Sequence, residues 1–371
     1  MPEADGQDRL ERLLGYLEHD PANAPLLRDA AQAALDADDP ERAKELCARL
    51  RDAGGLTDAD SNLWAIAAMR SGEPEKAAET FAGLLEGQPG DPALGFNLAW
   101  ALALSGDAAG ARRALEPAIV EALPQAALLE VQLMHQAGAF EEAAARAQEH
   151  LRRHGDYPPL LAALSVLALD IEDEALARQC AERAGGHPDA LATLALLALG
   201  EQETERAREM FERSLAINAH SPRAWIGLGL AELMRGDSNA AAGHLDRGAG
   251  MFADHLGSWI AAGWAHLLAG ERGKARERFE RALALDENFA EAQGSLAVIE
   301  ALEGDGTAAA RRAEIALRLD RHCFSATFAR ILLSTAAGDA QSAQRLLEAA
   351  LRQPIGPRNH TIAEAIARLA R

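Results

Sequence analysis

A chain of 371 residues with 37 Lys and Arg against 57 Asp and Glu carries a net charge of −20, the wrong sign for a surface that must displace counterions from nucleic-acid phosphates. Aromatics make up 4% of the residues, Ala and Leu dominate and β-branched residues are sparse, so the expected fold class is all-α, unbranched side chains losing little rotamer freedom in a helix. Cys47, Cys180 and Cys323 are widely spaced, the first twenty residues lack an apolar signal core and no stretch approaches a membrane span, which points to neither a disulfide framework, a zinc ribbon nor membrane insertion, and to a cytoplasmic protein.

In chain order, the first element is an amphipathic stretch with Leu10, Leu14 and Leu17 that closes at Asp20-Pro21, an N-terminal capping helix within residues 1–23. Helical hairpins are then expected to start at Ala24, Asp58, Pro92, Pro124 and Pro158, forming an acidic segment over 24–187. The hairpin from Pro92 is 32 residues long and contains Pro117 in its second helix; proline removes a helical hydrogen bond, so a kink or shortened helix is expected there. In the hairpin from Pro158, Gly185-Gly186-His187-Pro188 arrives about one turn early, and a hinge or subdomain boundary is expected at that break. A more regular segment follows over 188–357, with hairpins starting at Pro188, Pro222, Leu256, Ala290 and Phe324, and residues 358–371 supply a C-terminal capping helix. Residues 1–187 hold 33 acids against 16 bases, a net −17, whereas residues 188–371 hold 24 against 21, a net −3. Lys appears only at 44, 76 and 274, and this Arg and Ala bias points to a bacterial source.

The segments starting at Pro222, Leu256, Ala290 and Phe324 align without gaps at a 34-residue period. Position 4 reads Trp225, Trp259, Gln293 and Thr327; position 8 reads Gly229, Gly263, Ala297 and Ile331; position 15 is Gly236, Gly270, Gly304 and Gly338; position 20 is Ala241, Ala275, Ala309 and Ala343. With Phe279 at position 24 and Ala282 at position 27, the pattern resembles the tetratricopeptide repeat (TPR) superfamily. The resemblance implies a right-handed superhelical solenoid of about ten helix-turn-helix repeats between two caps. Small residues at 8, 20 and 27 let paired helices approach, large ones at 4, 7 and 24 fill the space between them, and Gly-Asp or Gly-Glu at 15 and 16 ends one helix and begins the next.

In the family the first helices line a concave face that binds peptides or partner helices, with positions 2, 5, 9 and 12 pointing into it. That places Phe96, Trp100, Ile226, Leu230, Ile260, Trp264, Val298, Phe328 and Leu332 in a partner-binding groove, where exposed aromatics anchor interfaces. Trp225 and Trp259 at position 4 and Trp64 at position 7 are expected to pack in the core. Position 11 of the later repeats carries Glu232, His266 and Glu300, a polar column that could hold a cationic group or help ligate a metal. His150 and His154 close a helix beside Arg152 and Arg153 and are expected to be solvated. Cys323 beside His322 lacks the oriented base a nucleophile needs, and Arg311, Arg312, Arg318 and Arg321 alternate with acids as a salt-bridged face. No phosphate loop, dinucleotide fingerprint or nucleophile elbow occurs. A carboxylate clamp of the kind some family members use is also disfavoured, since Asn97 is in place but the lysines are missing.

These features predict a non-catalytic scaffold or adaptor without a cofactor, gripping another protein or peptide and not nucleic acid. Two alternatives stand beside it: an accessory enzyme subunit using the polar column, and an assembly factor docking a basic client on the acidic half.

Overall fold

The computed structural model describes residues 2–352 together with 354–355 and 360–361, and side chains from Gly6 to Arg352. An N-terminal helix, α1 (Pro2–His19), precedes the hairpins α2 (Ala24–Asp36) with α3 (Pro40–Gly54), α4 (Asp58–Arg70) with α5 (Pro74–Gly87), and α6 (Pro92–Leu104) with the broken pair α7 (Ala108–Ala114) and α8 (Pro117–Ala122). Next come α9 (Pro124–Gln136) with α10 (Phe140–His154), α11 (Pro158–Asp170) with α12 (Glu174–Ala184), and α13 (Pro188–Gly200) with α14 (Thr204–Ile217). The series closes with α15 (Pro222–Arg235) and α16 (Ser238–Met251), α17 (Leu256–Leu268) and α18 (Arg272–Leu285), α19 (Ala290–Glu303) and α20 (Gly306–Leu319), and α21 (Phe324–Ala336) and α22 (Ala340–Leu351). The first helix of every hairpin begins at the residue expected from the sequence, at a 34-residue spacing except after Pro92 and Pro158. Beyond α22, Pro354–Ile355 pairs antiparallel with His360–Thr361; the capping helix expected over 358–371 otherwise lies outside the described residues.

Each turn follows from its residues. At the end of α15, Gly236 adopts a left-handed conformation with φ of 84°, its N–H and that of Asp237 return to carbonyls of the last turn, and the Asp237 carboxylate accepts from the Ala240 N–H to start α16. Asp107, Asp305 and Asp339 cap α7, α20 and α22 in the same way. Glu73, expected to cap α5, makes no such bond; its longer side chain pairs with Lys44 and Lys76 instead. Three hairpins lack the turn glycine, and Asp38, Glu172 and Gln202 take up the positive φ themselves.

Packing is set by small residues facing large ones. A Cβ at Gly263 would lie 2.3 Å from the Phe279 ring, so α17 and α18 meet at glycine contact, and Phe81, Phe211 and Phe279, all at position 24, are fully buried. The molecule divides into two compact units, residues 1–167 and 168–371, and the division falls within α11. Pro117 breaks its helix as expected: α7 ends after seven residues and α8 restarts at the proline.

Candidate partner-binding site

Within the first unit, α6, α9 and the start of α11 enclose a cleft of about 380 Å³. Phe96, Trp100 and Leu104 come from α6, one helical turn apart, and Leu128 and Gln132 from α9. Trp100 is 43% exposed and Leu104 55%, while the Phe96 ring braces the indole edge-on at 5.3 Å. Burial of a large apolar side chain is worth about 1.5–3 kcal/mol, so leaving two uncovered side by side forgoes a gain that an occupant would recover. Gln125, Gln132 and Gln136 add amides along α9, and Tyr157 with Pro159 closes the end. No Asp, Glu, Lys or Arg lines this cleft.

Of the groove residues expected from the sequence, Phe96 and Trp100 line this cleft. The partners Leu104, Gln125, Leu128, Gln132, Gln136 and Tyr157 were missed, although Gln125, Leu128 and Gln132 occupy positions 2, 5 and 9 of their own repeat. A glutamine in a first helix is common on solvated faces and does not mark a groove as a large apolar residue does.

In the second unit the expected groove residues have a different environment. Val298 is fully buried in the core beneath α19 and cannot line a surface. Trp264, the counterpart of Trp100, is half-buried because Phe279 at 5.9 Å and Phe328 at 6.1 Å close around it. Ile226, Leu230, Ile260, Phe328 and Leu332 are half-buried against these cores. Trp225 and Trp259 are also half-buried, their indole N–H groups donating to the carbonyls of Ala219 and Ala253, with Arg247 4.2 Å above the first ring and Arg281 6.0 Å above the second. Trp64 packs between two core clusters.

The polar column does not form a ladder. Glu232 pairs with Arg235 at 2.8 Å, and Glu300 pairs with Arg312 at 2.8 Å while its Oε2 stays buried without a partner. His266 is buried, with Glu271 2.6 Å from Nδ1 and Asp246 2.9 Å from Nε2. Burial pushes the Asp246 carboxyl up, but hydrogen bonds from Arg278 and His266 outweigh it and hold the group below its usual range. The two carboxylates lie on opposite ring nitrogens and so cannot share one ion with the imidazole. Among the described residues no group of three His, Cys, Asp or Glu side chains could hold a metal.

His150 corrects the reading of a solvated helix end: it is buried, its Nε2 2.6 Å from Glu130, and His154 Nε2 lies 2.9 Å from the Val120 carbonyl. Cys323 is buried at the start of α21 and its thiol is pushed up to about 12 by burial, Glu291 adding to the shift. In the Arg311 to Arg321 cluster, Arg312 and Arg318 pair with Glu300 and Glu314.

A family profile described as "Tetratricopeptide repeat" matches residues 62–127 and 192–254. No curated protein matches the chain in sequence. Among solved structures, the chain is similar to one titled as the APC/C hetero-tetramer Cut9-Hcn1, at a TM-score of 0.58 and 13% identity, covering 84% of this chain and 76% of that one. Another is an IFIT1 monomeric mutant with Gppp-AAAA, at a TM-score of 0.55 and 12% identity, with 93% and 94% covered. A human IFIT1 dimer with PPP-AAAA gives 0.54 and 13%, covering 94% of each chain. At these identities the likeness is one of fold.

Proposed function

The chain is a tetratricopeptide-repeat protein, and we propose that it acts as a non-catalytic scaffold or adaptor, holding an uncharged, apolar segment of a partner protein in the cleft between α6, α9 and α11. Repeats of this kind mediate protein–protein interaction, and the observation that carries the reading is the exposed pair Trp100 and Leu104 over the Phe96 ring. The occupant's chemistry follows from the lining. A charged side chain entering this cleft would lose water and find no counter-charge, whereas apolar side chains gain contact and the glutamine amides can satisfy main-chain N–H and C=O groups. A phosphate-bearing ligand such as the PPP-AAAA of the similar IFIT1 structure does not suit this cleft, which offers no Lys or Arg on a strongly acidic chain.

Photo-crosslinking from a benzoylphenylalanine at position 132 in source cells tests the reading. Cross-linked partner segments should be apolar and uncharged, should survive 0.5 M NaCl in the wash and should vanish in Trp100→Ala. Truncating an aromatic hot spot costs about 2–4 kcal/mol, at least roughly thirtyfold in affinity. Charged cross-linked segments, or equal yields with and without Trp100, would sink it. The acidic-half reading predicts the opposite salt response, since screening weakens attraction between exposed charges.

A further inference from the structure

We infer that a second cleft, opened beside the helix broken at Pro117, binds carboxylate side chains of a partner polypeptide. This cleft, about 700 Å³, lies between α7, α9 and α10. Leu115, the C-cap of α7, forms part of its wall, and Glu130 and Met134 present a face of α9 turned well away from the one bearing Leu128, Gln132 and Gln136. The two clefts therefore share a helix and no lining residue.

The charge pattern is what marks the site. Between Lys76 and Arg178 the chain has five basic residues, Arg112, Arg113, Arg146, Arg152 and Arg153, and all of them stand on α7 and α10. Three of them, Arg112, Arg146 and Arg152, line the cleft. Arg146 is already engaged, bound to Glu130 Oε2 at 2.9 Å and to Glu149 at 2.8 Å, and buried His150 meets the same Glu130 oxygen at 2.6 Å. Arg112 has no protein partner among the described residues, and Arg152 engages only the Gln148 carbonyl through Nε at 3.4 Å. Two guanidinium forks on the cleft walls are thus open, with a planar geometry that suits carboxylates.

The acids in the lining decide which anion fits. Glu130 and Glu149 are matched by Arg146, but Glu142 is not. A planar carboxylate can accept from two N–H groups of one guanidinium, so two carboxylates suffice to engage Arg112 and Arg152 while adding few charges beside Glu142.

The test uses the full chain and a fluorescein-labelled twelve-residue peptide of alternating Glu and Ala, with its Gln-for-Glu counterpart. The Glu peptide should bind saturably at low salt and the Gln peptide at least tenfold more weakly. Arg112→Glu with Arg152→Glu should cost roughly tenfold or more, since each open fork supplies charge-assisted hydrogen bonds. Arg12→Glu, the same charge change on exposed α1, should stay within twofold of the wild type. Thermal melts of all variants exclude misfolding, and Arg112→Gln with Arg152→Gln gives a milder version of the same change. Equal losses in the Arg12 and Arg112/Arg152 variants, no saturable binding of the Glu peptide, or stronger competition by a short RNA than by the Glu peptide would each overturn the assignment.

Discussion

At the scale of single residues, three αL positions and one buried carboxylate carry most of the testable chemistry. Asp38, Glu172 and Gln202 hold the positive φ that glycine holds at Gly72, Gly106, Gly236 and Gly338, and a side chain in that region costs about 1–2 kcal/mol. Gln202→Gly should raise stability by about 0.5–1 kcal/mol, less than the full strain because glycine also frees the unfolded chain; urea midpoints at constant slope check this. Asp60 is fully buried, closes the capping box with Thr57 and accepts both arms of Arg28. The Arg28 hydrogen bond, opposed by burial and helped by Thr57, holds its carboxyl far below the usual range. Its folded pKa is depressed, so its stabilisation is present above the unfolded value near 4 and is lost as pH falls below that value. Asp60→Asn should cost about 1.5–3 kcal/mol at pH 7, and the gap to the wild type should narrow between pH 4 and 2 in denaturant titrations.

Helices meet where one side gives way to the other, and this governs the element scale. Gly263→Val would drive a branched side chain into Phe279, and overpacking of this kind costs about 1–3 kcal/mol; a fall in melting temperature with unchanged far-ultraviolet dichroism is the expected result. The broken second helix of the Pro92 hairpin is the converse case, with Leu115, the C-cap of α7, in the wall of a cleft. Pro117→Ala should restore helix propensity by up to about 3 kcal/mol locally. If the break shapes the carboxylate cleft, the same variant should weaken the Glu peptide while leaving the Trp100 site untouched.

For the molecule as a whole, the net charge of −20, of which −17 lies in residues 1–187, sets a background of self-repulsion. Screening should therefore raise the melting temperature between 0.02 and 0.3 M NaCl. The cysteines give a second readout. Cys47, Cys180 and Cys323 are all buried, and burial foremost pushes the Cys47 thiol up to about 11. An aromatic disulfide reagent at pH 8 should find no fast-reacting thiol in the native protein and three in denaturant.

The sequence by itself determined the all-α class and the start of every first helix, because these rest on local signals: helix-favouring composition, a proline or cap at the start and, in most hairpins, a glycine at the turn. It also put Phe96 and Trp100 on one face of α6, where both line the cleft. Tertiary structure alone decided which of the equivalent positions stayed open. Trp100 and Trp264 share position 9, yet Phe279 and Phe328 close over the second while a cleft remains beside the first, and Val298 at the same position is swallowed whole. The polar column met the same fate, since Arg235, Asp246, Glu271 and Arg312 reach its members from outside the column. Periodicity fixes where a side chain points, but its exposure depends on the size and charge of neighbours contributed by other helices, and that is a property of the packed molecule.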